Sequence, residues 1–222
     1  MPRTARAVEA GMFYHVLNRG NGRMKLFHKP GDYSAFLKVL AEALERYPVD
    51  LFTYCLMPNH WHLVLRPNRD DALARFMGWI GVTHVRRHHA HYHHQAGGHL
   101  YQGRFKSFPV QDDEHFLTLC RYVEANPARA KLVGAGQQWP WTALAQRQAR
   151  SSAPKLTAWP VDRPGNWAKL VNVEMPEAEV DRIRQSVLRG RPLGENAWVL
   201  EVADRLNLGF TLRDPGRPKK DK

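Results

Sequence analysis

The sequence is short of cysteine, of acidic charge and of long apolar runs. Its 222 residues include two cysteines, Cys55 and Cys120. Both sit in apolar surroundings without metal or redox spacing, so a disulfide framework and a Cys-based zinc site are excluded. They read as small core residues of a reducing compartment. No apolar stretch approaches 18 residues and no signal-peptide core is visible, so nothing points to a membrane or to export. The expected location is the cytoplasm. The acidic residues, 21 Asp and Glu, are outnumbered by 33 Lys and Arg, a formal net charge of +12. A surface of that sign attracts polyanions, nucleic acid above all; the alternative is a basic surface that serves solubility. With 43% hydrophobic residues and a negative mean hydropathy, the chain is expected to be globular and able to bury a core.

The most informative stretch is Met57-Pro58-Asn59-His60-Trp61-His62-Leu63-Val64-Leu65. On a β-strand His60 and His62 point to one face and Trp61 to the other. Two imidazoles on a rigid strand can grip one metal ion, or they can be structural histidines in a half-buried strand. Spacing alone does not decide, because His-x-His also occurs at 89/91 and 91/93. The first triplet differs in following a Pro-Asn turn and opening a run of β-formers.

Taken in order, Phe13-Tyr14-His15-Val16-Leu17 predicts a first strand, ending at the Gly- and Arg-containing turn 18–23. Asp32 caps a helix with an apolar stripe at Tyr33, Phe36, Leu37, Leu40 and Leu44, which ends before Pro48. Residues 50–56 and the histidine strand form a hairpin across Pro58-Asn59. Asp70-Asp71 opens a second helix, which runs into a His/Arg tract at 84–99. That tract reads as a solvated helix end. A strand is expected over 99–110, with basic and aromatic residues interleaved as single-stranded nucleic acid requires; an edge strand would look similar. A third helix is expected from His115 to Asn126, stopped by Pro127. Tyr122 and Asn126 lie four apart on it, one above the other. The order β-α-β-β-α-β predicts an α+β, ferredoxin-like fold with helices on one face of an antiparallel sheet. Residues 150–166, rich in Ser and Pro, read as a linker, so the expected division is 1–148 catalytic and 149–222 linker plus a basic helical extension. The extension is expected to be removable after about Val173 without loss of the core fold.

Several stretches together carry a resemblance. MPNHWHLVL, GHLYQGRFKS, RYVEANPARAKLV and the following WPW, with YHVLNRGN near the start and RGRPLG and GRPKK near the end, resemble the REP-associated tyrosine transposases. These are relatives of the single-strand insertion-sequence transposases in the HUH endonuclease group. The resemblance implies an HUH-type catalytic domain with Tyr122 as nucleophile, and His60, His62 and Asn126 as ligands of a divalent metal, Mg²⁺ or Mn²⁺. Asn126 departs from the insertion-sequence relatives, which usually have Gln there, and agrees with the REP-associated branch. The implied activity is cleavage and rejoining of single-stranded DNA at palindromic hairpin repeats through a 5′-phosphotyrosine. The implied partners are such hairpins, with the protein nucleoid-associated and a monomer or weak dimer. Candidate DNA contacts are Arg19, Asn21, Arg104, Lys106, Arg121 and Arg129, and in the extension Arg189, Arg191, Arg217, Lys219 and Lys220. Two other functions fit the residues: a catalytically inactive DNA-binding regulator, and a zinc-dependent hydrolase.

Overall fold

A computed structural model describes residues 8–92, 98–112, 114–150 and 154–213. Four strands form one antiparallel sheet: β1 (Phe13–Arg19), β2 (Val49–Met57), β3 (His60–Pro67) and β4 (Lys106–Val110). Their order is β2-β3-β1-β4, with β3 and β1 central. Helices α1 (Pro30–Arg46) and α2 (Ala72–Tyr92) connect them, giving the expected ferredoxin-like order. Side chains alternate across the sheet, and each face has its own core. Tyr14, Val16, Trp61, Leu63 and Leu65 pack under α1 and α2. Phe13, Phe52, Val64, Phe108 and Val110 pack on the opposite face, under α3 (Glu114–Arg129). The first two helices thus share one face as expected, and the later helices cover the other.

Helix α3 does not stop at Pro127. A proline inside a helix leaves the carbonyl four residues earlier without its donor. Here Asn126 compensates: its Nδ2 donates to Tyr122 O at 3.0 Å and to Val123 O at 3.5 Å.

The strand expected over 99–110 is shortened to β4. Residues 98–105 instead loop over the end of the sheet, bridged at Gly20 and Tyr101. The His/Arg tract is not wholly solvated either. His84 and His88, one turn apart on α2, are buried. The Trp61 indole N–H donates to Tyr101 Oη at 3.1 Å, and that hydroxyl donates to His84 Nδ1 at 2.6 Å. Burial lowers the His84 pKa to about 3, so the ring is a neutral acceptor that anchors the loop to the histidine strand. His93 and His94 lie outside the described residues.

Residues 154–166 of the expected linker form a strap. Thr157 N donates to Leu51 O at 2.7 Å and the Trp159 indole donates to Phe52 O at 3.1 Å, covering the open edge of β2. At the other edge Leu193 exchanges backbone bonds with Pro109 and Gln111, both 2.9 Å. Helix α4 (Ala143–Gln148) precedes the strap, α5 (Trp167–Asn172) and α6 (Glu177–Arg189) lie between it and Leu193 in the chain, and α7 (Asn196–Arg205) follows. Trp167, Val171, Val180, Ile183 and Leu193 belong to the same core as Phe52 and Tyr122. The packing therefore has no break at 148/149, and the described part of the extension shares one core with the sheet. Ile183 is fully buried, and Ile183→Ala is expected to cost about 2–5 kcal/mol by urea titration. Truncation after Val173 is expected to give insoluble protein; a soluble, cooperatively melting fragment would contradict the shared core.

Candidate active site

His60 opens β3, half-buried, and His62 follows it on the same face with 4% of its surface exposed. Their rings stand 4.9 Å apart between centroids and nearly perpendicular, at 82°. The Nδ1 atom of each is engaged. His60 Nδ1 lies 2.6 Å from Asn59 Oδ1, and since the amide oxygen can only accept, His60 carries its proton on Nδ1. His62 Nδ1 lies 2.9 Å from His15 Nε2. The His62 Nε2 atom is buried and has no hydrogen-bond partner among the described residues. Burial pushes the His60 pKa down to about 4, aided by the nearby Arg19 charge. Burial, with His60, His15, Arg19 and Arg129 close by, holds His62 well below the ordinary histidine value. Both imidazoles are neutral at pH 7, and each can offer an Nε2 lone pair.

Tyr122 meets this pair from the other layer. Helix α3 crosses the face of β2 and β3, and the Tyr122 ring stands edge-on to His62, 6.3 Å between centroids at 87°. The guanidinium of Arg129, two turns on, lies 4.3 Å from the centroid of the Tyr122 ring. Asn126 is one turn beyond Tyr122, and its amide N–H is turned back on its own helix. Tyr122, His60 and His62 are brought together; Asn126, with its N–H used on its own helix, has only its Oδ1 left to offer.

The fold also gathers the N-terminal turn at this end of the sheet. Arg19 pairs with His60 across β1 and β3. Gly20 N donates to Asn59 O, Asn21 N to Leu100 O and Gln102 N to Arg19 O, each at 2.9 Å. Three loops are thereby locked around the histidine hairpin, and they present Arg19, exposed Asn21 and exposed Arg104. Gly20 is required there: a Cβ would lie 2.3 Å from Met24 O.

The other candidate contacts are distributed differently. Lys106 is exposed at the start of β4 and reaches Val187 O at 3.4 Å. Arg121 points its guanidinium at the end of α5, donating to Leu170 O at 2.8 Å and Val173 O at 2.9 Å. Its position therefore has a structural explanation, closing a helix terminus. Arg189 donates to Arg213 O, and Arg191 is half-buried. Arg217, Lys219 and Lys220 lie outside the described residues.

Two residues at the site were not singled out from the sequence. Asn59 was seen as a turn residue and not as the partner of His60. His15 was seen as part of a strand; the available signal was a histidine in the middle of an apolar run.

A four-stranded ferredoxin-like sheet with a His-x-His strand facing a helical tyrosine defines the structural class. Residues 9–126 match the family described as transposase IS200 like, more than half of the chain, and the chain belongs to that family. A Haemophilus influenzae protein named as a REP-associated tyrosine transposase is 23% identical over 124 residues, 51% of this chain and 69% of that one. Among solved structures, a REP-associated tyrosine transposase bound to a REP hairpin shares the fold, with a TM-score of 0.53 and 15% identity over 79% of this chain and 95% of that one. No described helix is long and apolar enough to cross a membrane.

Proposed function

We propose that this protein cleaves and rejoins single-stranded DNA at hairpin repeats, using Tyr122 as a covalent nucleophile beside a divalent metal held by His60 and His62. One observation carries the proposal. The Tyr122 ring stands edge-on to His62, whose Nε2 is a buried nitrogen with no partner among the described residues. An unsatisfied buried nitrogen costs free energy in the apo protein, and a cation is the partner that a neutral imidazole lone pair accepts. The donor set fits: two neutral imidazoles with both Nδ1 atoms engaged, with Asn126, one helical turn after Tyr122, as the third ligand that the resemblance implies. Bound there, Mg²⁺ or Mn²⁺ would polarise the scissile phosphate as a Lewis acid.

The remaining roles belong to the chain. Tyr122 gives up its phenolic proton and its oxygen attacks phosphorus. The DNA 3′ oxygen leaves and takes up a proton, and the 5′ phosphate stays on the tyrosine for reversal. Arg129, whose guanidinium lies over the Tyr122 ring, attracts the incoming phosphate electrostatically. The loops bearing Arg19, Asn21 and Arg104 hold phosphates at the same end of the sheet. The solved structure with the shared fold is bound to a REP hairpin, which supports a hairpin as the substrate here.

The test uses end-labelled hairpin oligonucleotides from the host's own repeats with Mn²⁺. Cleavage is expected with the native chain and a fall of about 100-fold or more with His60→Ala or His62→Ala, partly recovered at high Mn²⁺. Binding without cleavage under any metal would leave a DNA-binding regulator as the function.

Affinity is also expected to fall steeply with salt, each neutralised phosphate adding roughly 0.7–0.9 to the slope of log affinity against log salt. Filter binding at several salt concentrations measures this slope. A flat response would remove the loops from the phosphate contacts.

A further inference from the structure

We infer that His15 is a positioning residue of the proposed metal site, holding His62 in the tautomer that presents its Nε2 lone pair. This rests on the reading of His60 and His62 as metal ligands and adds a residue to it.

His15 sits at the centre of β1, between β3 and β4, and is fully buried. Its ring lies nearly parallel to that of His62, with a centroid separation of 5.0 Å and an interplanar angle of 4°. The edge of Phe108 closes on it from β4 at 4.9 Å. Between the two imidazoles runs one hydrogen bond, His15 Nε2 to His62 Nδ1 at 2.9 Å. A bond between two neutral rings holds one proton, so there are two assignments. In one, His62 donates from Nδ1 and its Nε2 is a lone pair. In the other, His15 donates and His62 carries its proton on Nε2, where it would block a cation. Among the described residues the outer nitrogens, His15 Nδ1 and His62 Nε2, have no partner in either case. The apo pair therefore has no internal reason to prefer one assignment. A cation on His62 Nε2 selects the first, and His15 then supplies the acceptor that fixes both tautomer and ring orientation.

Packing alone does not call for this residue. An aliphatic side chain at position 15 would fill the same face next to Phe13 and Phe108 without burying an unpaired nitrogen. Asn59 does for His60 what His15 does for His62: each engages Nδ1 and leaves Nε2. Both ligands would thus be held from behind, one by a turn residue of its own hairpin and one by the neighbouring strand.

The experiment is Mn²⁺ binding to the full chain, read by calorimetry or by the electron paramagnetic resonance of free Mn²⁺, without DNA. His15→Met removes the acceptor and is expected to weaken Mn²⁺ about 10–100-fold. His15→Gln keeps an amide oxygen within reach of His62 Nδ1 and is expected to restore affinity to within about threefold of the native chain. Equal affinity in native and His15→Met proteins would overturn the inference, as would equal losses in the Met and Gln variants. His60→Ala and His62→Ala separate the two readings. If they leave Mn²⁺ affinity unchanged, the metal site itself fails; if they abolish it while His15→Met does not change it, only the role of His15 fails. Should His15→Met not fold, the ring ¹⁵N spectrum of the native chain with Zn²⁺ decides. A proton on His62 Nδ1 and none on His15 Nε2 is expected, and the reverse assignment refutes the inference.

Discussion

Glu124→Ala is expected to destabilise the protein by about 3–5 kcal/mol, the largest loss of stability foreseen for any single substitution here. Glu124 lies on α3 two residues after Tyr122 and is fully buried. Its Oε1 accepts from Thr53 Oγ1 on β2 and from Arg147 Nη1 on α4 at 2.6 Å. Its Oε2 accepts from the Trp167 indole on α5 at 2.7 Å. Arg147 is itself held by Phe52 O at 2.8 Å. Four elements therefore meet on one carboxylate. Removing it strands a guanidinium whose side chain is 18% exposed and leaves two buried donors without an acceptor. Glu124→Gln keeps the shape and one acceptor oxygen, so a smaller loss is expected. A urea titration of both variants checks this; an alanine variant within about 1 kcal/mol of the native chain would show that the network contributes little. The same cluster seats α3 on the sheet, so the variant should also lose cleavage as Tyr122 loosens against His62.

Nothing in the sequence marks Glu124. An acidic residue in RYVEANPARAKLV looks like part of a solvated helix face, and only the covering α4 and α5 turn it inward. The local signals were otherwise legible. Alternating residues placed β1 and β3, the Pro-Asn turn placed the hairpin, and the apolar stripes placed α1 and α2. The same alternation puts Trp61 opposite His60 and His62. What failed were inferences from composition and from single breakers. Pro127 does not end α3, because Asn126 covers the carbonyls it exposes. The Pro-containing segment from residue 154 lies along the sheet, because the unpaired edge of β2 gives its backbone bonds to make. His84 and His88 face the core, because the loop carrying Tyr101 folds back over the sheet to meet α2. The last two depend on contacts between residues far apart in the chain, which local pattern does not encode. The same holds for His15, whose partner is 47 residues away.

Tyr122→Phe is expected to leave the fold and DNA binding intact and to lower cleavage by roughly 10³-fold or more, to below detection. The substitution removes one hydroxyl and keeps the ring edge against His62 and the face under Arg129. The other tyrosines lie elsewhere: Tyr14, Tyr33, Tyr47, Tyr54 and Tyr101 pack with the core under α1 and α2, and the Tyr92 hydroxyl donates to Asp32 Oδ2 at 2.6 Å. Burial raises the Tyr14 and Tyr33 phenols to about 12 and pushes Tyr54 and Tyr101 up further. Trp61 and His84 occupy the Tyr101 hydroxyl as well. Retained cleavage in the phenylalanine variant would make water the nucleophile and favour a zinc-dependent hydrolase.

The central claim is a covalent bond between Tyr122 and DNA. The direct measurement is mass spectrometry of the native chain after incubation with a host hairpin oligonucleotide and Mn²⁺, first intact and then after digestion. The account predicts a mass increase equal to the 5′-phosphorylated downstream fragment, carried by the peptide that contains Tyr122 and absent from Tyr122→Phe. Cleaved DNA with no mass increase, or an adduct on any other tyrosine, would contradict it.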